Sequence, residues 1–205
     1  MSRTREPKGK IVRALGLNVF GNPKFDRLLD RKPHPPGKPP RYSPRKTSEY
    51  ADQLRETRKY RTAYGLGRRQ LKNLYEKARR AGGSTSAALL VFLEARLSNI
   101  VYRLGWAVSR AQARQLVSHG HVAVNGRTLD IPSAALRPGD ALELRAPESL
   151  ARLVRERTAS EGAARLPSWL AREDGGRAAR VASAPVPEEA SVPGRIGRVV
   201  EFFAR

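Results

Sequence analysis

Between Ser109 and Leu144 the cap and turn signals fall so close together that only short elements fit between them. Ser109 and Gln112 have the spacing of a capping box, so a short helix is expected from Arg110 to Ser118. Gly120 stands just past its end, where a left-handed residue stops a helix. Val122-Ala123-Val124 then meets Asn125-Gly126, the pair favoured in type I′ hairpin turns, and the chain returns through Arg127 to Leu129. Pro138-Gly139-Asp140 marks a further turn, after which Ala141 to Arg145 alternates as a half-buried strand. With the apolar helix before them, residues 94–145 read as helix, helix, hairpin, strand: a compact α+β unit.

The flanks are patterned differently. Residues 1–46 look mostly irregular. Ile11, Val12, Leu15, Leu17, Val19 and Phe20 offer at most one turn or a small apolar patch, and Asp26 to Leu29 another turn. Six prolines between Pro33 and Pro44 favour extended, polyproline-like backbone. Ser48 can cap a helix to about Tyr64, with Tyr50, Leu54 and Thr57 on one side. A second helix, Arg68 to Ala81, places Leu71, Leu74, Tyr75 and Ala78 on one face. A third, opened by Ser84 or Ser86 and closed by Gly105, buries Leu89, Leu93, Leu97, Ile100 and Leu104. Another is expected from Pro147 to about Thr158, with Leu150, Leu153 and Val154 inward. Residues 159–198 are poorly patterned, and Val199 to Phe203 suggest an apolar terminal strand.

Charge narrows the function. The 205 residues carry 40 Lys+Arg against 19 Asp+Glu, a formal net charge of +21. Residues 1–80 hold 23 of the cations and 7 of the acids, so most of the excess lies there. Such a surplus repels itself in an isolated compact state, and a polyanion relieves it. A membrane fits poorly, because no run approaches the ~20 apolar residues of a spanning helix. The start of the chain leads into no signal-peptide core. With no cysteine, disulfides and thiolate zinc sites are excluded and a cytoplasmic location is the default. No cofactor motif appears: Gly65-Leu66-Gly67-Arg68-Arg69-Gln70 lacks the third glycine and the preceding strand of a dinucleotide fingerprint. His119 and His121 share strand-like spacing but lack a third metal ligand, so RNA contact or a structural role is expected of them.

A nucleic-acid face can then be placed. Arg110 and Arg114 lie four apart on the capped helix, Arg103 ends the preceding one, and the Ser109 end presents free N–H groups to a phosphate. Asn125 and Arg127 add the hairpin, and His119 and His121 its approach. Together these suit an A-form minor groove, where shape and phosphates are recognised. The N-terminal footprint supplies Arg3, Arg5, Lys8, Lys10, Arg13, Arg41, Arg45 and Lys46. The helices that follow supply Arg55, Arg58, Lys59, Arg61, Arg68, Arg69 and Lys72.

The run from Ser109-Arg-Ala-Gln-Ala-Arg-Gln-Leu-Val-Ser-His-Gly-His-Val-Ala-Val-Asn-Gly to Arg127 resembles the small RNA-binding domain of bacterial small-subunit ribosomal protein four. That module is shared with some pseudouridine synthases, a tyrosyl-tRNA synthetase and a heat-shock ribosome-rescue protein. The flanks favour the ribosomal family itself: Ser48 to Gly65, Leu93 to Gly105, Pro35-Pro36-Gly37, Pro167-Ser-Trp-Leu170 and Val200-Glu-Phe-Phe203 are similar to its landmarks, in order.

The resemblance implies an α+β chain, a mostly helical body with an inserted helix-helix-hairpin RNA-binding domain. Residues 1–46 would be a basic proline-rich arm and 47–93 the helical body, completed by 199–205. Residues 94–157 would be the RNA-binding domain and 158–198 an extension. It also implies a non-enzymatic constituent of the small ribosomal subunit that binds a junction in the ribosomal RNA's 5′ domain and nucleates the subunit body. Small-subunit protein five, with an effect on decoding accuracy, and mRNA at its entrance channel are the other implied partners. Many members bind zinc through N-terminal cysteines; this chain resembles the zinc-free form and needs no cofactor. The alternatives are an RNA-modifying enzyme, which would need a separate catalytic domain, and a stress-induced rescue factor.

Overall fold

The computed structural model describes residues 6–37, 48–160 and 166–205. Helices α1 (Lys8–Leu15), α2 (Pro23–Arg31), α3 (Glu49–Ala63), α4 (Arg68–Arg80), α5 (Thr85–Glu94), α6 (Leu97–Arg103) and α7 (Arg110–Ser118) precede strands β1 (Val122–Val124), β2 (Arg127–Thr128) and β3 (Ala141–Leu144). Helix α8 (Glu148–Ser160), strands β4 (Leu170–Glu173) and β5 (Ala178–Val181), and helix α9 (Ile196–Ala204) follow. The chain divides into two compact units, Met1–Lys77 with Val192–Arg205, and Ala78–Ser191. The overall class is α+β, as expected.

In the first unit the N-terminal region is better ordered than its composition suggested. Residues 8–31 form two helices rather than an irregular arm. Left-handed Gly16 ends α1, and the Asn22 side chain caps α2 by accepting from the Lys24 amide at 2.9 Å, with Pro23 in the first turn. Ile11, Val12, Leu15 and Val19 are buried, and the Phe20 and Phe25 rings lie 5.5 Å apart. The missed signal was Asn22-Pro23, a cap followed by a residue pre-set for the first helical position. Of the proline-rich stretch, residues 38–47 lie outside the described residues.

Helix α3 buries Gln53, Glu56, Thr57, Tyr60 and Ala63, while Tyr50 and Leu54 are exposed, so the expected face was wrong except at Thr57. Its polar residues go inward because a segment about 140 positions away satisfies them. Glu56 accepts from the Arg195 amide at 3.0 Å, Tyr60 donates to the Gly194 carbonyl at 3.0 Å, and Gln53 donates to Glu201 at 3.1 Å. The returning segment is helix α9, not the terminal strand expected from its β-branched and aromatic residues. Val199 and Phe202, one turn apart, are buried, and packing against α3 overrides local propensity.

In the second unit the third expected helix is broken. Helix α5 ends at Glu94, α6 begins at Leu97, and Arg96 between them bridges to Ala135. The Leu97 amide donates to the Ala134 carbonyl at 2.8 Å and the Leu136 amide to Ala95 at 2.9 Å. Tertiary hydrogen bonds thus replace helical ones across a register that looked continuous in sequence. The sheet is antiparallel in the order β2-β1-β3-β5-β4, with Val122 opposite Leu144 and Leu142 opposite Ala179. Residues 170–181, expected to be poorly patterned, supply two of its strands. Trp106 and Trp169 are fully buried in the core under this sheet, with Leu97 and Ile100 of α6 and Leu104 just past its end. Trp106 donates to the Gly176 carbonyl at 2.6 Å. On α8, Ala151 and Val154 are buried, but Leu153 is exposed rather than inward.

Burial, and next the Glu56 carboxylate, push the Tyr60 hydroxyl up to about 12. Its proton is held more tightly in the folded than in the unfolded chain, where it leaves near pH 10. The contribution of Tyr60 is therefore intact below pH 10 and lost as pH rises through 12. Urea unfolding of Tyr60→Phe should show about 1 kcal/mol less stability at pH 8, from the lost hydrogen bond. Its decline between pH 10 and 12 should be shallower than that of the wild type by up to about 1.4 kcal/mol per pH unit. Parallel declines would contradict the burial of this hydroxyl.

Candidate nucleic-acid interface

The capped helix and hairpin form as the sequence spacing requires. Ser109 Oγ accepts from the Gln112 amide at 3.3 Å, and Gln112 reaches back to the Val108 amide at 2.8 Å. Asn125 and Gly126 both adopt positive φ, 50° and 78°, as a type I′ turn demands. Asn125 also locks the turn to the next strand: its amide donates to Asp140 at 2.8 Å and its carbonyl accepts from the Ala141 amide at 2.9 Å. The role assigned to Asn125 in RNA contact is thus matched by a structural one.

The basic residues fall into two classes. Some hold the fold. Arg110 donates to Asn99 Oδ1 at 2.9 Å and to Ser191 Oγ, and its guanidinium lies 4.5 Å from the centre of the Tyr102 ring. Arg103 donates to the Glu189 carbonyl at 2.5 Å and pairs with buried Glu94 at 3.4 Å. Glu94 also accepts from Asn99 at 2.8 Å and from the Ser191 hydroxyl at 3.0 Å. A buried carboxylate with this many donors joins α5, α6, α7 and the 187–191 turn into one network. In the first unit, Arg13 donates to the carbonyls of His34 and Pro35 at 3.0 and 3.2 Å, and Arg55 to Leu15 at 2.9 Å. Lys59 pairs with buried Glu56, whereas Arg58 meets Glu6 at 2.5 Å in an exposed pair that adds little to the fold.

Others face outward. Lys8, Lys10, Arg68, Arg69, Lys72 and Arg127 are exposed, with Lys8 5.4 Å from the Phe20 ring centre and Arg68 5.7 Å from that of Phe202. On α4, Arg68, Arg69 and Lys72 are exposed beside the buried stripe of Leu71, Tyr75 and Ala78. The His119 and His121 rings lie 6.3 Å apart, and His121 Nδ1 is 3.4 Å from the Arg145 carbonyl. Arg145, which sequence reasoning missed, braces the hairpin by donating to the Gly126 carbonyl at 3.2 Å. Arg96, which stands in the break between α5 and α6, was missed too. It is part-buried, and burial, then the nearby Arg114, lowers its pKa. Arg61 is lowered likewise by burial, then by Arg68 and Arg58. Arg3, Arg5, Arg41, Arg45 and Lys46 lie outside the described residues.

With no cysteine in the sequence and no group of three or more His, Asp or Glu gathered among the described residues, the side chains present do not fit the N-terminal zinc site of cysteine-bearing proteins. The apolar contacts of α1 and α2 and the Arg13 clasp hold that region instead. No helix among the described residues is long and apolar enough to cross a membrane.

Residues 3–94 match the family described as ribosomal protein S4/S9 N-terminal domain, and residues 95–142 match the S4 domain. The chain is 43% identical over 202 residues to small ribosomal subunit protein uS4 of Treponema denticola, covering 98% of each chain. It is 40% identical over 206 residues to the protein of that name from Borrelia hermsii, covering 100% of this chain and 99% of the relative.

Arg110→Ala should lower stability in urea by about 1–3 kcal/mol, because Asn99 and Ser191 lose a donor in part-buried surroundings. Arg127→Ala should change stability by less than about 0.5 kcal/mol while weakening RNA binding. A stable Arg110→Ala variant that loses only RNA affinity would reverse this assignment.

Proposed function

The chain belongs to the small ribosomal subunit protein uS4 family, and on that footing we propose that it is a primary binder of small-subunit ribosomal RNA. The family is a structural constituent of the small subunit rather than an enzyme, so the alternative of an RNA-modifying enzyme falls. Family membership also puts the chain in the ribosome, which is cytoplasmic in bacteria.

The observation that best supports the RNA reading is the exposed set Arg68, Arg69 and Lys72 on a helix that Leu71, Tyr75 and Ala78 anchor in the core. A rigid element then presents guanidinium and ammonium groups at fixed spacing, which orients a phosphate backbone without reading its bases. The exposed Arg127 on the hairpin supplies a second such position. We assign the docking site to a multi-helix junction in the 5′ domain, where binding nucleates the subunit body. Contact with small-subunit protein five, an influence on decoding accuracy and a place along the mRNA entrance channel rest on the family likeness alone.

Binding of the full chain to a 5′-domain ribosomal RNA transcript, against an unrelated transcript of equal length, tests this reading. Log affinity should fall linearly with log salt, losing about a thousandfold between 50 and 200 mM if some six phosphates are neutralised. The 5′-domain RNA should stay the tighter ligand throughout. Equal affinity for both transcripts would overturn the proposal.

A further inference from the structure

We propose that the cleft between α1 and the C-terminal half of α3 receives one phosphate group, and that Glu6 occupies its cationic mouth until that group arrives. The ligand's source rests on the RNA-binding reading above. The cleft has a volume of about 270 Å³ and is lined by Glu6, Ile11, Arg58, Arg61, Thr62 and Leu66. At roughly 30 Å³ per water molecule it has room for a phosphate group with part of its hydration.

Arg58 and Arg61 are three apart on α3 and therefore share a face. Ile11 and Leu66 are buried and give the cleft an apolar floor, beside which the part-buried Arg61 is less screened by solvent than the exposed Arg58. The Nε of Arg61 is buried and has no hydrogen-bond partner among the described residues. A buried donor without an acceptor is a cost to the fold that an incoming oxygen removes. Burial, then the like charges of Arg68 and Arg58, lower the Arg61 pKa, so cations are crowded at this cleft. The C-terminal carbonyls of α3 do not serve the purpose: Arg61 and Thr62 accept from the amides of Leu66 at 2.8 Å and Gly65 at 3.3 Å.

A phosphate group meets these conditions well, since it offers several acceptor oxygens and a guanidinium can hold two of them at once. Glu6 is the anion already present, 2.5 Å from Arg58. Both partners of that pair are exposed, so solvent screens it and its rupture is easy. Glu6 sits immediately before Pro7, the residue flanking the start of α1, which anchors its backbone while the carboxylate can rotate away. Glu6 and a phosphate thus compete for the same guanidinium. Competition of this kind weakens binding to any polyanion that cannot place a phosphate in the cleft, and so sharpens selection for one that can.

Wild type, Glu6→Gln, Arg61→Gln and Asp30→Asn, the last an exposed control on α2, should be compared as full chains for affinity and salt slope on the 5′-domain transcript. Glu6→Gln should tighten binding about three- to tenfold at low salt and Asp30→Asn much less. Arg61→Gln should weaken binding about tenfold and make the salt slope shallower by about one. Thermal melting of Glu6→Gln should match the wild type, so its result stands even if Arg61→Gln folds poorly. Equal tightening by Glu6→Gln and Asp30→Asn, or none by either, overturns the proposal. In a parallel arm, the Arg61 Nε–H resonance is followed during titration with inorganic phosphate. A response there with unchanged RNA affinity in both cleft variants would assign the site to a free anion and also overturn it. Should the wild type itself fail to prefer the 5′-domain transcript, the broader RNA reading fails, an outcome distinct from these.

Discussion

A buried carboxylate without enough donors destabilises a protein, and much of this structure follows from how Glu94 is supplied. Only 1% exposed, it receives the Asn99 amide, the Ser191 hydroxyl and amide, and the charge of Arg103. Those partners in turn engage Arg110 and the Glu189 carbonyl. Removing one member of such a network leaves charge or polarity buried without compensation, which is why it specifies one arrangement of α5, α6 and α7. Glu56 plays the equivalent part in the first unit, where it accepts from Lys59 and from the Arg195 amide. Each unit therefore fixes its piece of the returning chain through an acid on a helix.

This use of acids sorts the arginines. With cations outnumbering acids about two to one, only some can find an internal partner. Arg103, Arg110, Arg13 and Arg55 are held by carbonyls, amides or carboxylates of the protein itself. Others, such as Arg69, Lys72 and Arg127, face solvent on helix α4 and the β1–β2 hairpin. Folded elements of this kind limit the ordering cost of binding a polyanion, because the cations are already spaced. Function and fold thus draw on the same residue type in different surroundings.

Local chemistry explains which parts were legible in sequence. The capped helix α7, the Asn125-Gly126 turn and strand β3 each depend on neighbours within a few residues, so spacing alone located them. The buried face of α3 depends on Gly194, Arg195 and Glu201, and periodicity of apolar residues cannot reveal a face lined by Gln53 and Glu56. The break at Ala95-Arg96 depends on Ala134 and Leu136, and the helical state of Val199–Phe203 on packing against α3. Arg110 illustrates the same limit at the candidate site. Its place on a capped helix was correct, but its partners come from Asn99, Tyr102 and Ser191, which sequence spacing does not bring together.

The division of arginines into internal and outward classes can be measured residue by residue. Arginine-selective dicarbonyl labelling, read by mass spectrometry with and without 5′-domain ribosomal RNA, reports accessibility and protection together. Arg103 and Arg110 should react slowly in both states, while Arg69 and Arg127 react quickly in the free protein and become protected when RNA binds. Fast labelling of Arg103 and Arg110 in the free protein, abolished by RNA, would contradict the account.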